Sequence, residues 1–402
     1  MAYEPYYLKD VLDASAQKKF TVISTFAGGG GSSTGYRLAG GDVLLINEFV
    51  EEAIETYKQN FPDTKVLVDD IKKYKAQDFL DMAGIKKGEL DILDGSPPCS
   101  AFSVAGKREK GWDKEKVYSD GKMQVAIEDL FYEFIRIAEG IQPKVIVAEN
   151  VKGITFGKAI EKLNAFINEF EKIGYNVTYK VLNAADYGVP QGRERTIFIC
   201  VRNDVCDDIG LSFLNINSIF PVPTHITHDK WLELKSKKSK RQKQADDKPK
   251  HISLKEAIHD IENDPEEEKE LLDYVQNGFQ KKWIELLEFN PKKHIKPSDT
   301  RFIDINPKRS LFNMIRPCPD DPCPTITQRG NQKSVSGVFH YEKNRKFTIR
   351  ELIRIMSLPE DFILTGNFDK KAERIGRMVA PKMMVNVANA IYENILKEYN
   401  NG

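Results

Sequence analysis

Several things are missing from this 402-residue chain, and each absence excludes something. It has no net charge, with Lys+Arg 60 against Asp+Glu 60. A chain balanced in this way is not a globally basic sleeve for a polyanion, so such a partner must be met by a local patch. No apolar run approaches ~18 residues, so nothing in it is expected to span a membrane. The first twenty residues lack the apolar stretch of a secretory leader. Cysteine is scarce, five in all and far apart, which does not look like a disulfide framework. Together these absences predict a reduced, soluble, cytoplasmic protein. What is present is ample. Hydrophobic residues make up 41%, enough for a sizeable core. At ~150 residues per domain the length suggests two or three domains, or one large domain with an insertion.

Short β-rich apolar runs recur through the first half: FTVISTF (20–26), DVLLINE (42–48), KVLVDDI (65–71), LDILDGS (90–96), KVIVAEN (144–150), VTYKVLN (177–183) and TIFICVR (196–202). Helix-length segments lie between them. One carries Ile127, Leu130, Phe131, Phe134, Ala138 and Ile141 at helical spacing; another carries Ile160, Leu163, Phe166, Ile167, Phe170 and Ile173. Strands alternating with such helices predict an α/β fold, a doubly wound, mostly parallel sheet covered on both faces. After Asn203 the composition shifts. Residues 235–250, KSKKSKRQKQADDKPK, hold eight basic and two acidic residues and read as a solvated arm or linker. Polar, Pro-rich sequence runs on to about residue 345. Helix is expected again at Thr348–Met356 and at Lys382–Leu396, where Met384, Val387, Ala388, Ile391 and Ile395 form a stripe. The expected division is a catalytic and cofactor-binding domain of 1–203 plus 370–402, its C-terminal helix packing back on it. A smaller domain with a hinge takes 204–369.

Ligands bind outside the carboxyl ends of strands in open α/β sheets. The first strand runs into FAGGGGSSTG (26–35), a glycine cluster that lets the backbone approach a ligand or simply turns tightly. The second ends in Glu48, where an acid holds a ribose diol in nucleoside-binding sheets. The third ends in Asp69-Asp70-Ile71, a carboxylate able to accept from an adenine amino group. Either acid alone is as well read as a loop carboxylate or a helix cap. Three such features at successive strand ends point to a nucleoside-containing cofactor. The fourth strand leads into GSPPCSAFS (95–103), where Pro97 and Pro98 stiffen the approach to Cys99. A cysteine there is a small apolar residue or a nucleophile. At a pKa of ~8.5 only about a tenth would be thiolate near pH ~7.5, so nearby positive charge is needed. The fifth strand ends in Glu149. Arg193 and Arg195 alternate at a later strand start, and so are expected to face one side, as site residues or as surface ion pairs.

In this order the motifs resemble the DNA cytosine-5 methyltransferase family, of bacterial or phage restriction-modification type. The matching blocks are FAGGGG, INEF, VDDI, GSPPCSAFS, AENV, QGRERTIFI, FTIRELIRIMSLPEDF (347–362) and IGRMVAPKMMVNVANAI (375–391). They cover most of 20–203 and 325–396. The resemblance implies S-adenosyl-L-methionine as cofactor. Phe26 would pack on it, with Gly28, Gly30 and Gly31 shaping its loop. Glu48 would take the ribose hydroxyls, Phe49 lie along the adenine, Asp70 with Ile71 hold the adenine edge, and Pro98 border the cofactor. It also implies covalent catalysis on an everted cytosine, with Cys99 adding to C6. Glu149 would act at N3 and the exocyclic amine, as an acid that holds its proton. Arg195 would contact O2, and Arg193 would orient the site, holding Glu149 or phosphate.

Double-stranded DNA is the implied partner. Ser103, Lys107, Arg108 and Lys110 are candidate phosphate contacts, the last three in a glycine-hinged loop at 104–122. Thr325, in CPTIT, would lie near the flipped nucleotide. Arg329, with Asn331 and Gln332 behind it, would read bases. The Lys/Arg arm serves nonspecific phosphate attraction or solubility. No metal is expected, since Cys200, Cys206, Cys318 and Cys323 have loose spacings and no convenient histidine. A monomer is expected, with a separate restriction endonuclease as a possible companion. Two departures from the family pattern stand out. Ser24 or Thr25 stands where many members carry an acid, and Arg377 stands where many carry an asparagine. Three other readings remain: tRNA cytosine methylation, a catalytically inert DNA-binding regulator, and a nicotinamide or flavin oxidoreductase read from the glycine loop alone.

Overall fold

The computed structural model describes residues 3–97, 116–117, 123–124, 127–157, 159–212, 216–227, 229–230, 248–266, 269, 271, 300–301, 315–328, 337–343 and 345–401. All seven apolar runs form strands. They are β1 (Phe20–Thr25), β2 (Gly41–Glu48), β3 (Lys65–Val68), β4 (Ile92–Gly95), β5 (Val145–Val151), β6 (Tyr175–Asn183) and β7 (Glu194–Arg202). They make one sheet in the order β3-β2-β1-β4-β5-β7-β6. The pairs β3/β2, β2/β1, β1/β4 and β4/β5 are parallel. β7 runs antiparallel to β5. The chain winds outward from β1 to β3, then returns to β4 on the other side of β1. β1 and β4 therefore flank the switch point, where an open α/β sheet has its crevice.

The strands are apolar because helices cover them. Helices Ile127–Ile141 and Ala159–Lys172 meet through Phe131 and Phe166, stacked at 3.7 Å between ring centroids. Phe134 and Phe170 meet edge-on at 6.3 Å, and Phe198 of β7 lies 6.4 Å from Phe131. Aromatic burial of this kind dominates a core energetically. Leu130, Phe131, Phe134, Ala138 and Ile141 are buried as the spacing predicts, and so are Leu163, Phe166 and Phe170. Ile160 departs from its stripe and is 41% exposed, because it sits in the first turn, before the apolar face reaches the core. Helix Pro381–Ile391 continues through a π-helical turn, Tyr392–Leu396. Met384, Val387, Ala388, Ile391 and Ile395 are all buried. Tyr392 lies 5.8 Å from Phe20 of β1 between ring centroids.

The chain divides into two compact units. The sheet unit comprises 9–182, 194–222 and 384–402; the second comprises 1–8, 183–193 and 223–383. The second unit is held by buried ion pairs. Helix Ile349–Ile355 starts with a reciprocal cap between Thr348 and Glu351. Arg345 grips the same Glu351 with two bonds of 2.8 Å. Arg354 reaches Glu360 at 2.6 Å and the carbonyl of Ala257 at 3.2 Å. Tyr6 donates to the carbonyl of Ser357 at 2.6 Å. The block FTIRELIRIMSLPEDF thus serves this unit's packing.

Candidate active site

At the end of β1 the chain turns through Phe26 with φ 52°, left-handed backbone that a non-glycine residue rarely adopts. Gly28, at φ 55°, has only open space where a side chain would stand. Gly30 caps helix Gly31–Leu38. The first turn of a helix leaves backbone N–H groups free for an anion or a polar ligand. Glu48, at the end of β2, closes this loop. One of its oxygens accepts from Gly28 N at 2.7 Å, and the other from Phe49 N and Val50 N, each at 2.9 Å. A carboxylate has about four lone-pair sites, so hydroxyl donors can still be met. Asn47 ties the next strand end down through the carbonyls of Leu67 and Asp69, at 3.0 and 2.9 Å. Asp70 caps the short turn Ile71–Lys73, accepting from Lys72 N at 3.0 Å, and Ile71 is buried. Phe26, Gly28, Gly30, Gly31, Glu48, Phe49, Asp70 and Ile71 all belong to the sheet unit. The open space at Gly28, the helix N-terminus and the two strand-end acids fit a nucleoside-containing cofactor.

On the other side of the switch point, β5 presents Glu149 and β7 presents Arg195. Arg195 Nε lies 2.7 Å from Glu149 Oε1, both side chains 13% exposed. Strand register explains the meeting, since Glu149 lies opposite Ile197 and Arg195 opposite Val151. Burial pulls the guanidinium below its ordinary pKa, and the Glu149 charge opposes that.

Arg193 behaves differently. It precedes β7, in the second unit, so the strand alternation that would put it on the side of Arg195 does not apply. It is 2% exposed. Its two Nη atoms donate to the carbonyls of Ile326 at 3.0 Å and Gly376 at 3.1 Å. Thr325 Oγ1 donates to the carbonyl of Gly192 at 2.7 Å. Gln191 Oε1 accepts from Ile326 N at 3.1 Å. A two-residue parallel ladder joins Cys323–Pro324 to Gln191–Gly192. Gly376 comes so close that an added Cβ would lie 2.6 Å from the backbone of Thr327. Three blocks far apart in sequence, QGR, CPTIT and IGRM, converge here on one guanidinium. Arg377 pairs with Glu373 at 2.5 Å, one helical turn back.

Pro98, Cys99, Ser103, Lys107, Arg108, Lys110, Arg329, Asn331 and Gln332 lie outside the described residues, as does most of the 235–250 arm. Among the described residues no group of three or more His, Cys, Asp or Glu could hold a metal. No described helix is long and apolar enough to cross a membrane.

Sequence reasoning missed Asp94. It lies in β4, one residue before the strand's end, and is 2% exposed. Ser24 Oγ donates to its Oδ2 at 2.7 Å, and Tyr36 OH to its Oδ1 at 3.1 Å. Burial pushes its pKa from 3.8 up to about 7; the Ser24 and Tyr36 bonds oppose the rise and the Glu149 charge adds to it. The only signal was an acid inside the short strand ILDG, between an apolar pair and a glycine.

The fold is that of an α/β methyltransferase. The chain matches the C-5 cytosine-specific DNA methylase family over residues 20–393 and belongs to it; it is a DNA cytosine-5 methyltransferase. It is 32% identical over 381 residues to the Type II methyltransferase M1.HphI of Haemophilus parahaemolyticus, covering 94% of this chain and 87% of that one. It is 30% identical over 377 residues to M.Eco47II of Escherichia coli, covering 92% and 78%. The solved structure of the S. pombe Dnmt2 methyltransferase shares the fold, with TM-score 0.56, 17% identity and coverage of 93% and 98%.

Proposed function

We propose that this enzyme methylates C5 of a cytosine within a specific double-stranded DNA sequence, as the modification half of a Type II restriction-modification system. The observation that carries the reading is the half-buried Glu149–Arg195 pair, 2.7 Å apart beside the switch point of a cytosine-methylase sheet. Two charged groups that hold each other and are slightly exposed suit a ring that needs one partner at N3 and its amine and another at O2. S-adenosyl-L-methionine supplies an electrophilic methyl when bound. Phe26, Gly28, Gly30, Gly31, Glu48, Phe49, Asp70, Ile71 and Pro98 are proposed to bind and orient it.

The remaining steps belong to the chain's own residues. A stacked base hides C6, so the target cytosine must leave the duplex. The Cys99 thiolate bonds to C6, and the ring's electron pair passes to C5, which becomes nucleophilic. Glu149 bonds N3 and the amine, offsetting the charge that develops there, while Arg195 holds O2. After methylation the C5 proton leaves and the C6–S bond breaks, restoring the aromatic ring and the thiolate. Arg193 is proposed to hold the CPTIT segment with Thr325 in place. Ser103, Lys107, Arg108 and Arg329 are proposed DNA contacts. The sheet unit would carry the chemistry and the second unit the sequence readout. The enzyme would act as a cytoplasmic monomer beside a separate endonuclease of the same specificity. Bisulfite sequencing of DNA from cells expressing the protein tests this. Protected cytosines in one sequence context are expected; unmethylated DNA, with methyl transfer to tRNA instead, would overturn it.

A further inference from the structure

The carboxyl of Asp94 lies at the junction of three elements. Ser24 reaches it from β1, which runs directly into the Phe26–Gly31 loop. Tyr36 reaches it from the helix that follows that loop. Asp94 itself sits on β4, five residues before Cys99 in sequence. Ser24 and Asp94 are direct partners in the β1/β4 register, at the switch point. Thr25 Oγ1 adds a bond to the Asp94 carbonyl at 3.1 Å. Glu149 on β5, itself paired with Arg195 of β7, is the charged group that acts on Asp94 across the sheet. A buried acid in such a place is costly, and acids of this kind gather at functional sites.

We infer that Asp94 is a positioning residue whose ionised carboxylate clamps the glycine loop to β4, so that the cofactor site is formed fully only when this group carries its charge. Each oxygen of the carboxylate accepts one hydroxyl bond, Oδ2 from Ser24 and Oδ1 from Tyr36. Protonation turns one oxygen into a donor. The hydroxyl facing it must then turn its own hydrogen away and accept instead, and that tie is no longer charge-assisted. The inference rests on the cofactor reading above.

Calorimetric titration with S-adenosylhomocysteine from pH 5.5 to 8.5 tests it. For the wild type, affinity is expected to fall roughly tenfold from the alkaline to the acid end, the effect of losing one charge-assisted hydrogen bond. Near pH 7 binding should release a proton, seen as a heat that varies with the buffer's ionisation enthalpy. Asp94→Asn should bind with no proton release and a flat pH dependence. Tyr36→Phe removes a bond that favours the carboxylate, so its acid limb should move to higher pH. A wild type with pH-independent affinity and no released proton would overturn the inference, and so would an Asp94→Asn profile that follows the wild type. Absence of binding by the wild type at every pH would overturn the cofactor reading itself, and this inference with it.

Discussion

Two regions divide one short motif between them. In QGRER the boundary between the units falls after Arg193. Arg195, on the sheet side, meets a carboxylate. Arg193, on the other side, meets two backbone carbonyls. Two residues of the same type, two positions apart, thus do different physical work. A guanidinium against a buried carboxylate is a charge pair with spare donors for a ligand. A guanidinium spread over two carbonyls is a strut, and its donors are spent on holding separate segments of chain together. Motif membership alone does not say which of these an arginine is; the partners do.

The comparison can be broken by substitution. Glu149→Gln should lower kcat by about 10²–10⁴-fold, the usual range for a positioned acid–base group, while S-adenosylhomocysteine binding measured by calorimetry stays within a few-fold. Equal losses in both would make Glu149 a structural residue like Arg193. Arg193→Ala should do the reverse. Removing it leaves two buried carbonyls without their donor, so a destabilisation of roughly 2–4 kcal/mol in urea unfolding is expected, with any activity loss recovered in proportion to the folded fraction. Gly376→Ala sharpens the same point. Its Cβ would meet the Thr327 backbone at 2.6 Å, and backbone cannot give as a side-chain tip can, so a cost of about 1–3 kcal/mol is expected.

The last effect depends on pH and concerns Asp94. Burial pushes its carboxyl from the ordinary 3.8 up to about 7 in the folded chain. A raised carboxyl stabilises the fold fully below about pH 4, and that contribution is lost as pH rises through about 7. The Tm of Asp94→Asn relative to wild type, without cofactor, should therefore increase by roughly 5 °C between pH 4 and pH 8. A constant difference would place the charge elsewhere.

The sheet unit was the more legible of the two. Its seven strands announce themselves as apolar runs, because both faces are covered and solvent leaves no alternating pattern. The positions of Glu48 and Asp70 were legible because the apolar runs before them mark where β2 and β3 stop. Asp94 was not, since an acid near the end of the short run ILDG gives no hint that Ser24 and Tyr36 converge on it. The second unit was scarcely legible. Its order comes from ion pairs such as Arg345–Glu351 and Arg354–Glu360, between side chains that read in sequence as an ordinary polar surface. The meeting of Arg193 with Ile326 and Gly376 joins residues 133 and 183 positions apart, which no local spacing encodes.

The proposed chemistry turns on covalent attack by Cys99 on the cytosine ring. A duplex carrying 5-fluorocytosine at the target position tests it most directly, since fluorine cannot leave as the C5 proton does. With S-adenosyl-L-methionine present, the wild type should yield a protein–DNA species that survives denaturing electrophoresis, and Cys99→Ser should yield none. A wild type that methylates ordinary DNA yet forms no such species, or a Cys99→Ser variant that still turns over, would contradict the account.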